Sequence, residues 1–313
     1  MTETEVQAPT AVIDQGCGIL DRSERGKLAL TGLEAKTFLA GQITNDVESL
    51  APGRGIYAAL LTHKGKMLAD LRVLDLDDEL WLDTERVALQ ALFDVIRRAK
   101  IGYDVELRKR TLEQALFSLV GPRSREVAGA DAAGLGAAEH DSARSPLGVL
   151  VTTDLGVDVI CAAEEAGRVR DELERAGAVV VPESAVEARR VETGRPRYGL
   201  DLDDTVIPQE AGLNERAVSF TKGCYVGQET VARLHYKGKP NRHLRGLRLS
   251  RHAASGTPLR LGEREVGRLG TIARSPGFGE IALALVRREA VPGDVLAVGD
   301  DGTTATVVEL PFA

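Results

Sequence analysis

A chain of 313 residues with 43% hydrophobic and 28% charged content is long enough to bury a sizeable core and to divide into two or three domains. Its formal net charge of -7 argues against non-specific nucleic-acid binding, because phosphates need a basic surface. Three widely spaced cysteines (Cys17, Cys161, Cys224) with no C-x-x-C pair point to a reduced compartment, and alone they hold neither a four-thiolate cluster nor a structural zinc. No basic segment leads into an apolar stretch at the N-terminus, and no apolar run approaches the roughly 18 residues of a membrane span. A cytoplasmic protein without a membrane partner is expected.

Residues 1–15 are polar and acidic and read as a disordered tail. Arg25 to Leu30 reads as a strand, and Thr31 is placed to cap a helix from about Leu33 to Ala40. Asp70 to Leu76 alternates, and Glu79 to Asp83 follows across the turn Asp77-Asp78, which predicts a β-hairpin. Thr84 is placed to cap a helix whose Ala88, Leu92, Val95, Ile96 and Ala99 share one face. The Ala/Gly-rich stretch Val127 to Ala138 reads as a flexible surface loop. Gly156 to Ala162 then reads as a strand, Glu164 to Ala176 as a salt-bridged amphipathic helix and Ala178 to Val181 as a buried strand. Pro182 opens a further helix through about Thr193. Strands mixed with helices and a hairpin predict an α+β fold. Beyond about Lys239, five strand-like runs separated by Gly/Pro/Asp turns predict a separate antiparallel barrel or sandwich. The expected units are therefore a tail over 1–15, a core over 16–239 and a barrel over 240–313.

Among segments that could carry chemistry, Phe220 to Arg233 stands out. Gly223 and Gly227 bracket Cys224, allowing a sharp turn that holds the thiol outward. A helix beginning near Gln228 and the charge of Lys222 would both favour thiolate over thiol. The competing reading of Cys224 is a buried small hydrophobe. Elsewhere, Gly53 to Ala58 fits G-x-G-x-x-A, but Pro52 precedes it and a turn is the better reading. The five histidines form no metal spacing; His235 is a surface residue within possible reach of Cys224. Arg242, Arg245, Arg248 and Arg251 make a basic stripe, solvated or facing an acidic group, and Trp81 is a core residue.

Lys222-Gly223-Cys224-Tyr225-Val226-Gly227-Gln228-Glu229 resembles the hallmark Lys-Gly-Cys-Tyr-x-Gly-Gln-Glu of the YgfZ family at every fixed position. Arg190 to Pro196, Tyr198 to Asp201, Ile207 to Ala211, Phe38 to Val47 and Lys64 to Met67 are similar to the same family, so the resemblance spans roughly residues 25–310. It implies the fold shared with the aminomethyltransferase (T-protein, GcvT) of glycine cleavage: two interleaved α+β subdomains around a central hole, followed by a C-terminal antiparallel β-barrel. It also implies tetrahydrofolate in the hole and a helper role in assembling or repairing iron–sulfur clusters of client enzymes, including radical enzymes that modify tRNA.

By the same resemblance, Glu192 corresponds to the glutamate with which T-proteins grip the pterin, and a carboxylate can accept two hydrogen bonds from that edge. As a bare residue it is equally a solvated helix-end carboxylate. Asp70 lies close to the aspartate that meets the reactive folate nitrogens, or is a strand residue alternating with Leu71. The resulting cofactor-binding set is Glu192, Asp70, Arg190, Tyr225 and Gln228; the reacting set is Cys224, Lys222 and Asp70. Cys224 would ligate iron transiently, with other ligands supplied by a partner. The alternatives are a folate-dependent aminomethyl- or methyltransferase and a cysteine-based thiol-transfer enzyme.

Overall fold

The computed structural model describes residues 3–313. The first element is a helix, α1 (Glu3–Gln15), where composition predicts a tail; Met1 and Thr2 lie outside the described residues. Ile13 explains the difference: it is buried against Val181, Ala185 and Val186, so burial orders a segment whose polarity alone would leave it loose.

Strand β1 (Gly18–Asp21) begins one sheet, and the chain then leaves to build another. The second sheet holds β2 (Gly26–Thr31), β3 (Gly55–Leu61), β4 (Met67–Asp75), β5 (Leu80–Thr84) and β6 (Glu106–Lys109), paired antiparallel in the order β3-β4-β5-β2-β6. Its helices are α2 (Ala35–Ala40) and α3 (Leu89–Ala99), with Leu92 and Ile96 buried as the periodicity predicts. The expected threonine caps do not form. Thr31 and Thr84 end strands, and the Thr84 hydroxyl donates to the Asp70 carbonyl at 2.5 Å.

The chain then returns to the first sheet with β7 (Gln114–Val120), α4 (Ser124–Val127), β8 (Ser142–Ser145), β9 (Gly148–Thr152), β10 (Gly156–Ala162), α5 (Ala166–Arg175) and β11 (Val179–Val180), in the order β11-β1-β7-β10-β9-β8. The supposed flexible loop is part of this core: Val127, Ala128, Ala130 and Leu135 are buried with Phe117, Leu150 and Val159. Conversely, β11 is exposed where a buried strand is expected, because it is an edge of two residues paired only with β1. After α6 (Glu183–Glu192), residues from Tyr198 to Val231 complete the core of the five-stranded sheet, through α7 (Asn214–Ala217) and α8 (Gln228–Lys237). Each subdomain is thus made from separated stretches of chain, as the interleaved fold requires.

Six strands then close a barrel: β12 (Arg242–Leu249), β13 (Pro258–Leu261), β14 (Arg264–Ser275), β15 (Gly279–Arg287), β16 (Val295–Val298) and β17 (Thr303–Val308), in the order β12-β15-β14-β13-β16-β17. The sequence reading has five of them. It lacks β13, whose four residues begin at Pro258 and resemble a turn until β14 and β16 pair on either side. Among the described residues no helix is long and apolar enough to cross a membrane.

Strand alternation decides what lies between the two sheets. On β4, Ala69, Leu71 and Val73 point into the core of their own subdomain, so Asp70, Arg72 and Leu74 point the other way. Leu74 and Trp81 pack against Leu116, Val151 and Ile160 of the facing sheet, an apolar plug that bears out the core reading of Trp81. Beside that plug the facing residues are charged. Arg72 donates to Asp83 at 2.5 Å on its own sheet and to Asp158 at 2.8 Å on the other. Arg25 also donates to Asp83, from Nε at 2.7 Å.

Burial works to raise the Asp83 carboxyl, but Arg25 and Arg72 outweigh it and hold the group at about 2. The unfolded value is about 3.9, so the stabilisation is complete above that pH and is lost as pH falls through the folded value. Acid unfolding should therefore sharpen between about pH 4 and pH 2. Replacing Asp83 with Ala should cost about 3–5 kcal/mol in urea unfolding at pH 7, since the buried Arg72 and the half-buried Arg25 lose their shared carboxylate. A loss below about 1 kcal/mol would rule out this pairing as a main tie.

Candidate active-site cavity and cysteine loop

Between the two sheets, beside the apolar plug, lies a cavity of 220 Å³. Its wall carries seven arginines and six carboxylates, with Tyr57 and Asp70 from β3 and β4, Ser118 and Asp158 from β7 and β10, and Glu187 and Arg190 from α6. Most charges are matched across it: Arg25 with Glu85, Arg197 with Glu85 at 3.0 Å, Arg195 with Asp154 at 2.9 Å, and Arg216 with Glu139. Such a wall cannot collapse into a dry core, because each buried ion would lose its solvation.

Asp70 is 8% exposed and sits on this wall. The Tyr57 hydroxyl donates to its Oδ2 at 2.6 Å. Burial raises the Asp70 carboxyl to about 6; the Tyr57 hydrogen bond and Arg25 oppose that shift, and Glu85 adds to it. Burial together with the adjacent carboxylate pushes the Tyr57 hydroxyl well above its usual range, so it remains a donor. A carboxyl that changes charge near neutral pH inside a cavity can accept a hydrogen bond or exchange a proton with a ring nitrogen placed there.

Glu192 does not line this cavity. Its carboxylate accepts from Ser275 at 2.5 Å and from Arg189 at 2.8 Å, and its carbonyl accepts from Phe312 at 2.9 Å. It ties α6 to the barrel. The glutamate that faces the cavity is Glu187, five residues earlier and so about 140° away around the helix. Arg190 lines the cavity, but Asp201, the Arg195 carbonyl, Thr271 and both Glu187 oxygens take all five of its N–H groups. It positions Glu187 and has no donor left for a ligand. Burial would raise the Glu187 carboxyl, yet Arg190, Arg197 and Arg22 outweigh it and keep it below its usual value.

The cysteine motif forms a second, separate feature. Cys224 is exposed, whereas Cys17 and Cys161 are buried in the six-stranded sheet's core, where burial pushes the Cys17 thiol up to about 11. Only one bracketing glycine is sterically required. Gly227 has φ +86, and a Cβ there would meet the Thr62 carbonyl oxygen at 2.6 Å; Gly223 has no neighbour in that position. Gly65 answers from the other side, since its own Cβ would meet Thr230 at 2.8 Å. The 222–229 segment is thus seated on the 62–66 turn.

Lys222 is not free to act on the thiol as the sequence suggests. Its ammonium donates to the carbonyls of Ala40, Ile43 and Asn45 at 2.6, 2.9 and 3.0 Å, using its three N–H groups, and burial lowers it to about 8. Tyr225 is buried in the five-stranded sheet's core with that ammonium 5.3 Å from its ring, and Gln228 opens α8. Neither they nor Cys224 line the central cavity. His235 is exposed and stacks on Phe220 at 3.8 Å between ring centroids. The arginine stripe is largely spent internally: Arg242 on Glu210, Arg245 on Glu309, and Arg248 and Arg251 on the carbonyls of Ala313 and Asp301. Among the described residues no group of three or more His, Cys, Asp or Glu is arranged to hold a metal ion.

Sequence reasoning missed Tyr57, Arg72, Asp83, Asp158, Glu187 and His140. A signal existed for some of them. Asp70 and Arg72 alternate with core residues on an otherwise apolar strand, and Asp83 follows Trp81 on the same face, which marks a polar patch between sheets.

The family model for the GCVT N-terminal domain matches residues 2–222, and that for the CAF17 C-terminal beta-barrel domain matches residues 243–311. An aminomethyltransferase of Thermotoga neapolitana is 31% identical, covering 96% of this chain and 87% of that protein. A putative chloroplastic transferase of Arabidopsis thaliana is 27% identical, covering 96% of this chain and 72% of that one. The crystal structure of the glycine cleavage system aminomethyltransferase T from Bartonella henselae superposes with a TM-score of 0.87 at 21% identity, covering 99% of this chain and 89% of that chain, and so shares the fold. With a GCVT domain, a CAF17 barrel and the 222–229 motif in one chain, the protein belongs to the CAF17/YgfZ family.

Proposed function

We propose that the chain binds tetrahydrofolate with the reduced pterin in the central cavity and uses the exposed Cys224 separately, as a contact to iron–sulfur client or assembly proteins. The observation that carries the folate half is Asp70: a carboxyl near neutrality, held by Tyr57, on a cavity wall that already pairs its other charges. At 220 Å³ the cavity is below the roughly 300–1,000 Å³ of whole-ligand sites, which suits a ring system whose tail leaves through the opening. Glu187 offers the carboxylate for the pterin edge and Asp70 the group nearest a reactive nitrogen. The cysteine half is supported by the exposure of Cys224 on a loop fixed by Gly65, Gly227 and Lys222. A thiolate is a soft donor suited to iron, and an exposed one needs further ligands from a partner.

A second reading, aminomethyl transfer to or from folate, is favoured by the 31% identity with the Thermotoga neapolitana aminomethyltransferase and needs only the cavity. The cysteine separates the two readings. Support of cluster-dependent enzymes in cells should be lost in Cys224→Ala while tetrahydrofolate affinity stays within about twofold. Turnover of an aminomethyl-lipoyl carrier that persists in that variant would favour transfer instead.

Calorimetric titration with tetrahydrofolate tests the cavity. Glu187→Gln should weaken binding by roughly tenfold or more. Glu192→Gln should leave affinity nearly unchanged and lower thermal stability, because it loosens α6 from the barrel; the reverse pattern would return the pterin contact to Glu192. Wild-type affinity should rise with pH through about 6, and Asp70→Asn should be flat over the same range. The stability effect has the opposite sign from that of Asp83. Between about pH 4 and 6 the folded state keeps a proton that the unfolded chain has lost, so Asp70 ionisation costs stability at pH 7. Asp70→Asn should therefore be more stable than wild type at pH 7, by up to about 3 kcal/mol, with the gain vanishing below about pH 4.

A further inference from the structure

His140 lines the central cavity and has no place in the pairing scheme of its wall. Both ring nitrogens are buried and make no hydrogen bond; Nε2 stands 3.6 Å from Glu139 Oε1, and that carboxylate is engaged by Arg216. A buried polar atom left without a partner is costly, and a native structure that keeps two on one ring is accounted for by something that fills the space beside it.

The ring is also held deliberately. His140 has φ +72, a left-handed backbone that an ordinary residue avoids. Its N–H donates to the Thr152 carbonyl at 2.8 Å. On one side Asp141 accepts from the Ala138 N–H at 3.0 Å and from Arg54 at 2.5 Å, and the Thr152 hydroxyl donates to the Gly136 carbonyl at 2.8 Å. The loop is therefore fixed on both flanks, and the strain keeps one side chain facing the cavity.

We propose that His140 is a ligand-contact residue of the central cavity, whose ring nitrogens hydrogen-bond the polar edge of a bound heterocycle. Burial, with Arg72 and Arg216 nearby, lowers the imidazole to about 3, so it is neutral at working pH. A neutral imidazole carries one N–H donor and one acceptor nitrogen. The surrounding arginines only donate, the ionised carboxylates only accept, and the Tyr57 and Ser118 hydroxyls already donate to Asp70 and Asp158, so His140 adds an uncommitted donor and acceptor to the wall. That matches a lactam or aminopyrimidine edge, which presents donors and acceptors side by side. An anion offers only acceptors and would leave the acceptor nitrogen of the ring unpaired. The identification of the heterocycle as a reduced pterin rests on the folate reading; the contact itself does not.

The test compares wild type with His140→Gln and His140→Phe, which share the cost of the left-handed backbone but differ in polarity. Thermal stability without ligand reports that shared cost. Tetrahydrofolate titration should show at least a tenfold weakening in His140→Phe and partial recovery in His140→Gln. Equal affinity in all three overturns the contact and leaves the folate reading standing. If tetrahydrofolate fails to bind wild type, the folate reading falls, and thermal shifts with reduced pterin, guanine and uracil decide the contact. A heterocycle that stabilises wild type and His140→Gln but not His140→Phe upholds it, and none doing so overturns it. Should His140→Phe not fold, the ring nitrogen resonances of wild-type His140 decide: displacement on ligand addition supports the contact, and no displacement refutes it.

Discussion

The Arg72 guanidinium, shared between Asp83 on its own sheet and Asp158 on the sheet opposite, is the tie on which this structure depends. Two sheets that meet only through apolar side chains would close along their whole length. Here Leu74, Trp81, Leu116, Val151 and Ile160 close one part, and the charged wall keeps the neighbouring part open because desolvating all of its ions at once would cost more than their pairing returns. The central hole is thus a consequence of putting Asp70, Arg72 and Asp83 on the strand faces that look outward from one subdomain's core. The tie also accounts for the contrast between two aspartates a short distance apart on adjacent strands. Burial raises both carboxyls. At Asp83 two guanidinium groups outweigh it and the group stays low. At Asp70 burial, with Glu85 adding to it, prevails over the Tyr57 hydrogen bond and Arg25 and raises the group to about 6.

A different kind of constraint shapes the cysteine loop. Three stretches that are far apart in the chain (38–47, 62–67 and 219–230) converge there. Lys222 donates to the Ala40 carbonyl that ends α2 and to the Ile43 and Asn45 carbonyls just beyond it, and the Thr44 hydroxyl donates to the Ala217 carbonyl at 2.5 Å. Gly65 and Gly227 allow the two loops to touch where a side chain on either would collide. Cys224 is held outward by this arrangement. The motif residues around it serve to build the loop: Lys222 and Tyr225 are turned into the protein, and the cavity draws on none of them. The protein therefore presents two chemically distinct places, one a charged internal cavity and the other an exposed thiol.

How much of this was legible varied with the range of the interaction that decides it. Periodicity placed the 70–83 hairpin, the helix that buries Leu92 and Ile96, and five of six barrel strands, because alternation and helical phase are local properties. It failed on α1 and on 127–138, where polarity and small residues suggested loose chain and where contacts with α6 or the six-stranded sheet supply the order. Motif resemblance pointed to Asp70, which lies on the cavity wall, and to α6, where Glu187 lines the cavity and Glu192 instead ties the helix to the barrel. Glu192 and Glu187 differ by a rotation about the helix axis that only the packing of α6 against the barrel makes visible.

By itself, then, the amino-acid sequence determined the α+β class and the late barrel, which follow from spacing and residue type that a chain carries before it folds. Its motif resemblance supplied the family and drew attention to Asp70 and Cys224. Tertiary structure alone decided that Lys222 is anchored inward, that Arg190 has every donor occupied, that Glu187 and not Glu192 faces the cavity, and that His140 stands in it unpartnered. Each of those depends on which distant groups arrive beside a side chain. In a fold whose two subdomains are each assembled from separated segments, that is settled only when the sheets meet.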